Sequence, residues 1–62
     1  MCEAAVYFIR DDLEELILES VDCLEEEEGR IRLVNLFGEE KIVSGRIKAL
    51  SLVNHKILLE PL

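Results

Sequence analysis

The amino-acid sequence predicts an all-β fold, a small antiparallel barrel of SH3/Sm-like size built from about five to seven short strands. Three observations lead to this prediction. Residues 30–37 begin with alternating polar and apolar side chains, the period-two pattern of a strand with one buried face. Residues 4–9 form a short apolar run rich in β-branched and aromatic types. Turn-forming glycine, asparagine and aspartate separate such segments, and antiparallel sheets of this size close into a barrel or pack on a second copy.

The first strand is predicted over residues 3–10. Its apolar side chains, Ala4 to Ile9, are consecutive rather than alternating, which favours a strand covered on both faces. Asp11 and Asp12 end it, since aspartate bonds to nearby backbone N–H groups and so favours turns.

The segment from Leu13 to Glu28 admits two interpretations. Its apolar residues recur at spacings of three and four, which is the stripe of an amphipathic helix, and Asp12 followed by Glu15 resembles a capping box. The alternative is a pair of short strands over 15–19 and 21–25, the second with period-two alternation. Local propensity favours the helix, and the residues themselves leave both interpretations open.

An acidic loop is predicted at Glu25–Glu28, followed by Gly29, which can adopt a positive φ at a hairpin turn. A calcium loop needs ligands at alternating positions around a sharp turn, whereas consecutive glutamates are typical of a solvated turn. We therefore expect no calcium site here.

The second half of the chain predicts a meander of short antiparallel strands. Arg30 and Arg32 should face outward while Ile31 and Leu33 face inward. Asn54-His55 is a plausible two-residue turn, because asparagine tolerates a positive φ. The predicted strands cover 30–37, 41–43, 46–53 and 56–60, with turns or bends at Gly38–Glu40 and Ser44–Gly45.

Length and composition indicate one domain over residues 1–62 and a partner for it. Chains this short bury only about 60% of their unfolded surface and usually need a staple, a metal or another chain. Half of the residues are apolar, an excess that indicates a homodimer. We expect no membrane span and no secretory signal, and hence a cytoplasmic protein with reduced cysteines.

The formal net charge of −7 disfavours nucleic-acid binding, which relies on cationic patches. The alternative function is nevertheless a small β-barrel that binds RNA, because six of the seven basic residues lie within residues 30–56 and could form a local stripe. The only aromatic residues available as stacking platforms are Tyr7, Phe8 and Phe37.

Cys2 is the residue with the most distinctive chemistry. Its thiolate, the intervening amide nitrogen and the α-amine of Met1 can close successive five-membered chelate rings around one metal ion. Planar nitrogen and thiolate donors suit Ni(II) or Cu(II). A symmetric dimer could bring two such chain ends together.

The remaining candidate ligands are weaker. Cys23 has apolar and acidic neighbours, which favours a buried structural thiol over a second ligand. His55 lies at a predicted turn, where a surface role is more common than metal binding. The chain offers one histidine and three serines with no sign of an oriented base, so we expect no enzyme.

Four segments together resemble one family, the CooT-type small nickel-binding proteins, many of which carry the older label of predicted RNA-binding protein. These segments are Met1-Cys2, Leu33-Val-Asn-Leu-Phe-Gly-Glu-Glu-Lys41, Gly45-Arg-Ile-Lys48 and His55-Lys-Ile-Leu-Leu-Glu60. The resemblance covers essentially the whole chain. It implies strands for residues 14–25, against local propensity, and an all-β barrel that forms a homodimer.

The resemblance also implies a nickel site built on the cysteine after the initiator methionine, with a role in supplying nickel for carbon monoxide dehydrogenase maturation. This carry-over depends on one matched residue, Cys2, and on the adjacent amine of Met1. The resulting prediction is a non-enzymatic metallochaperone that binds one Ni(II) between two chain ends. Its expected partners are a nickel enzyme or other nickel accessory proteins.

Overall fold

The computed structural model describes residues 3–62. These residues form one six-stranded β-sheet. Met1 and Cys2 lie outside the described residues. The strands are β1 (Ala4–Arg10), β2 (Leu13–Glu27), β3 (Arg30–Asn35), β4 (Glu40–Ser44), β5 (Arg46–Ser51) and β6 (Lys56–Glu60). Their order across the sheet is β4-β3-β2-β1-β6-β5. The prediction of an all-β fold with about five to seven strands is confirmed.

Two tight hairpins connect the first three strands. Asp11 and Asp12 have φ of 53° and 65°, and Arg10 pairs directly with Leu13, so these two aspartates form the whole loop. Glu28 and Gly29, with φ of 50° and 79°, make the corresponding turn between β2 and β3. Positive φ at both loop residues matches the twist of the flanking strands. Both predicted turns are confirmed, although the acidic loop is shorter than expected because Glu25–Glu27 belong to β2.

The segment that admitted helix or strand is the long strand β2, so the helix interpretation was wrong. The two predicted short strands are halves of one element. Its first half pairs with β1 and its second half pairs with β3. Ser20 has a positive φ of 58° between the halves, and both ladders are irregular near Val21. Hydrogen bonds to strands on either side therefore override the local preference for a helix.

The sheet differs from the predicted antiparallel barrel in two respects. β1 and β6 run parallel, which makes the sheet mixed, and β4 and β5 form its two edges without pairing with each other. The sheet is thus not closed into a barrel. It nevertheless curls, because the chain passes from one edge strand to the other through the single buried residue Gly45.

The core lies on the concave side of this curled sheet. Its buried apolar side chains come from β1, β2, β3 and β6 and are Val6, Leu18, Val21, Ile31, Leu33, Ile57 and Leu59. Ile31 and Leu33 are fully buried and Arg30 and Arg32 are exposed, which confirms the predicted alternation of β3.

The later strands end earlier than the sequence predicted. β3 stops at Asn35 and β5 stops at Ser51, and residues 52–55 form a turn that includes the predicted Asn54-His55 pair. Asn35 is the one buried polar residue of the described chain. Its side-chain carbonyl accepts hydrogen bonds from the backbone N–H groups of Phe37 (3.0 Å) and Glu39 (2.8 Å), which is why the chain turns here.

Candidate functional site

The predicted metal ligands, Met1 and Cys2, fall outside the described residues, but their surroundings along the chain are described. Glu3 follows Cys2 directly and leads into β1. Ala4 at the start of β1 pairs with Val21 of β2, and Ala5 pairs with Lys56 of β6. The chain therefore enters the sheet between β2 and β6.

A cavity of about 200 Å³ lies at this end of the sheet. Its walls come from the start of β1, the middle of β2, the end of β5 and the turn that precedes β6. The lining residues are Glu3, Ala4, Val21, Asp22, Cys23, Leu24, Leu50, Ser51, Leu52, His55 and Ile57. We call it the N-terminal cavity. It gathers the second cysteine and the single histidine of the chain beside the residue that follows Cys2.

Cys23 reaches this cavity because β2 bends where it changes partners. It pairs with Val34 of β3, just beyond the irregular step at Val21. Cys23 is exposed and carries a free thiol, so the expectation of a buried structural cysteine was wrong. A thiol in this position is accessible to metal ions and oxidants.

His55 also lines the N-terminal cavity. It is the last residue of the turn before β6 and has a positive φ of 51°. Its carbonyl oxygen accepts a hydrogen bond from the backbone N–H of Ala5, with an N···O distance of 2.9 Å. The predicted turn location of His55 is confirmed, and its exposed imidazole shares a cavity with Cys23.

Lys56, the residue after His55, anchors the start of β6. Its ammonium group lies 2.9 Å from the Glu14 carboxylate of β2 and 4.7 Å from the centre of the Tyr7 ring. The hydrogen bond with Glu14 raises the pKa of Lys56, and the negative charge of Glu14 adds to the effect. This cluster spans β2, β1 and β6 and so supports the parallel pairing that positions His55.

Large exposed apolar side chains lie in and beside the wall of the cavity: Leu50 and Leu52 line it, and Val53 follows Leu52 in the chain. Leu50, Leu52 and Val53 are 54%, 79% and 89% exposed. Such a concentration of exposed apolar side chains is typical of a surface that another protein covers. The structure describes one chain, so the homodimer stays a prediction.

Within residues 3–62, no three histidine, cysteine, aspartate or glutamate side chains lie close enough together to hold a metal ion. A metal site with three or more protein donors at the N-terminal cavity therefore needs donors from Met1 and Cys2 or from a second copy. A larger depression, of about 920 Å³, lies beside the β1–β2 hairpin and includes Phe8, Leu13 and Ile17 in its wall. Neither Cys23 nor His55 lines it, so we do not consider it the metal centre.

The aromatic residues that could serve an RNA-binding surface are spread over the sheet. Tyr7 and Phe8 are neighbours in β1, where successive side chains point to opposite faces. Phe37 lies in the loop after β3 and is 78% exposed. Tyr7 and Phe8 therefore lie on opposite faces of β1, and Phe37 lies outside that strand. The three rings do not form one surface on which successive bases could stack.

The fold and the N-terminal cavity define a small β protein that brings a thiol and an imidazole to the point where the chain enters the sheet. The model of one protein family, described as CO dehydrogenase accessory protein CooT, matches residues 1–60. The chain therefore belongs to the CooT family. This is a family of accessory proteins and not of enzymes, which confirms the expectation that the chain is no enzyme.

A solved structure agrees with this assignment. The crystal structure of a protein provisionally named CooT, from Carboxydothermus hydrogenoformans, is 46% identical and superposes with a TM-score of 0.91. The match covers 98% of each chain. No curated protein matches the sequence. Residues 3–62 contain no helix that is long and apolar enough to cross a membrane.

The sequence alone did not reveal that Cys23 and His55 line the same cavity. They lie 32 residues apart, and neither belongs to a recognisable metal-ligand spacing such as two cysteines separated by two residues. Both line this cavity because of the irregular step in β2 and the parallel pairing of β1 with β6.

Proposed function

We propose that this protein is a cytoplasmic nickel-binding accessory factor that supplies Ni(II) to carbon monoxide dehydrogenase or to another nickel enzyme. The observation that carries the proposal is the family match, which begins at residue 1 and so includes Met1 and Cys2. Thiolate and main-chain nitrogen are donors that suit Ni(II). Nickel is the cargo of such a factor rather than a resident cofactor.

The proposed ligands are the Cys2 thiolate and main-chain nitrogen at Met1, contributed by each of two copies. The exposed apolar side chains of Leu50 and Leu52, which line the N-terminal cavity, and of the adjacent Val53 support the dimer, since a second copy would remove them from water. One Ni(II) per two chains would then lie between two chain ends.

Metal capture in this arrangement releases protons. The thiol and any ligating amide must be deprotonated before they bind, so nickel affinity rises with pH across the neutral range. An accessory factor gains from this property, because protonation of the same ligands favours release to an acceptor.

The test is a calorimetric titration with Ni(II) at neutral pH, together with absorption spectra and native mass measurements. The expected result for the unaltered protein is a thiolate-to-nickel charge-transfer band and one Ni(II) per two chains. Cys2→Ser should abolish high-affinity binding and leave the melting temperature unchanged. Unchanged affinity in Cys2→Ser would remove Cys2 from the site, and absence of any band in the unaltered protein would reject the nickel function.

A further inference from the structure

The described chain contains one thiol and one imidazole, and the fold places both at the N-terminal cavity. Cys23 lies on β2 and His55 lies on the turn before β6, with the start of β1 between these two elements in the sheet. β1 separates β2 from β6 in the sheet, so the strand order alone does not require the two donors to lie at the same end of the sheet. The third wall of the cavity includes Glu3, the residue that follows Cys2.

Both side chains are available to a metal ion. Cys23 and His55 are exposed, and neither side chain takes part in a hydrogen bond or an ion pair among the described residues. Two neighbouring polar groups are used elsewhere: the Ser51 hydroxyl accepts a hydrogen bond from the Asn54 backbone (3.2 Å), and Lys56 pairs with Glu14. Thiolate and imidazole are both established donors for Ni(II), Cu(II) and Zn(II).

We propose that Cys23 and His55 form a second, weaker metal position beside the chain start, which Ni(II) occupies as it enters or leaves the Cys2 site. This inference depends on the proposed function. Two protein ligands leave several coordination positions of the ion open, so an incoming ligand can attack without first displacing a protein donor. Within residues 3–62 no group of three such donors could hold a metal ion, which fits a transfer position better than a storage site.

The position is tested first in protein that lacks Cys2, so that the N-terminal thiolate is absent. Inorganic Ni(II) is titrated into Cys2→Ser while the absorption band and the ring-proton NMR signals of histidine are followed. These NMR signals need no assignment, because His55 is the only histidine. We expect a weak thiolate-to-nickel band and a change of the His55 signals with the same midpoint.

The paired donors are then removed one at a time in the Cys2→Ser background. Cys23→Ser and His55→Asn should each weaken the residual binding by about ten-fold or more, and the double variant should lose little beyond that. Asparagine is chosen because it tolerates the positive φ of 51° at position 55. The matched control exchanges the two turn residues, Asn54→His with His55→Asn, which keeps the composition and moves the imidazole by one position.

A kinetic measurement addresses transfer in protein that retains Cys2. Removal of Ni(II) by an excess of a coloured chelator should be about ten-fold slower in Cys23→Ser and in His55→Asn than in the unaltered protein. The equilibrium affinity of the Cys2 site should stay within a few-fold. Melting temperatures of all variants establish that the fold is retained.

The outcomes separate this inference from the proposed function. Removal rates and residual binding that are the same with and without Cys23 and His55 would overturn the second position while leaving the Cys2 site intact. Additive losses of residual Ni(II) binding in Cys23→Ser and His55→Asn would show adventitious binding by surface side chains. Unchanged residual binding in the exchanged control would show the same for a surface histidine. Either result would overturn the second position as well. Nickel binding that is unaffected by Cys2→Ser would instead contradict the proposed function.

Discussion

The backbone N–H of Ala5 donates a hydrogen bond to the carbonyl oxygen of His55, with an N···O distance of 2.9 Å. This bond joins the second residue of β1 to the last residue of the turn before β6, and it begins the parallel ladder between the two strands. The point where the chain enters the sheet is thereby fixed relative to the only imidazole. The geometry of the N-terminal cavity depends on this contact.

Ala5→Pro should loosen the turn that carries His55, because proline has no N–H to donate to the His55 carbonyl. We expect a lower melting temperature and faster amide exchange at residues 53–55, measured by NMR. Ala5→Val is the control, since valine keeps the N–H and suits a strand. Equal exchange in both variants would show that the hydrogen bond does not hold the turn.

Extra residues before Met1 should weaken nickel binding. A Gly-Ser extension converts the α-amine of Met1 into an amide and leaves the Cys2 thiol in place. Calorimetric titration with Ni(II) measures the effect, and the same extension at the carboxyl end of the chain is the control. Unchanged affinity in the N-terminally extended protein would exclude the amine as a ligand.

Gly45→Ala should destabilise the fold by about 3 kcal/mol, since a Cβ atom there would lie 2.5 Å from the carbonyl oxygen of Glu60. It would also lie 3.3 Å from the Phe8 ring, so β1 and β6 would have to move away from Gly45. Gly38→Ala is the control, because Gly38 has no atom within 4 Å of that position and loses only about 1 kcal/mol to its positive φ. Urea denaturation compares the two, and equal midpoints would contradict the steric argument.

Asn35→Ala should lower the free energy of unfolding by about 1–3 kcal/mol. The substitution leaves the backbone N–H groups of Phe37 and Glu39 without their acceptor and removes the 2.7 Å bond to the Glu39 carboxylate. Amide exchange at positions 37 and 39 should accelerate more than exchange within β3. Asn54→Ala provides an exposed control, for which no change in stability is expected.

Stability should fall as the pH rises through the pKa of Lys56. Its pKa is raised in the folded protein, chiefly by the hydrogen bond with Glu14. The folded state therefore binds this proton more tightly than the unfolded state, so the contribution is complete below the unfolded pKa of about 10.4 and is lost above it. Melting temperatures between pH 9 and 12 should decline less steeply in Lys56→Met than in the unaltered protein, and parallel profiles would contradict the assignment.

Arg32→Gln should destabilise the sheet only slightly. The Arg32 guanidinium binds carboxylates on both sides, Glu25 of β2 and Glu40 of β4, and these hydrogen bonds raise its pKa. All three side chains are exposed, so water and salt screen their attraction. Urea denaturation should show a difference that shrinks further in concentrated sodium chloride, and a difference independent of salt would point to lost packing instead.

Local sequence patterns predicted the strand in which polar and apolar side chains alternate with exposure, and the turns that need particular residue types. The alternation in Arg30–Asn35 identified β3, because one face of that strand is buried and the other is exposed to solvent. Paired aspartates and Gly29 identified the two tight hairpins, because few residue types adopt a positive φ readily. The helical spacing of apolar residues in Leu13–Glu27 was misleading, because that strand changes partners at Ser20 and shows no single periodicity.

Tertiary structure decided the features that depend on distant segments. The parallel pair joins the first strand, β1, to the last strand, β6. A short turn cannot connect parallel neighbours, so no turn motif in the sequence predicts their pairing. Without β4 pairing to β5 the sheet stays open, and only the crossing at Gly45 makes it curl. These contacts also expose Cys23, which its apolar neighbours had suggested was buried.

The sequence by itself determined the clearest strand, the tight turns and, at Cys2 and Met1, a pair of candidate metal donors, because each depends on residues adjacent in the chain. Only the tertiary structure placed Cys23 and His55 in one cavity beside Glu3. The physical reason is that strand pairing, and not spacing along the chain, determines which side chains meet at one end of a curled sheet.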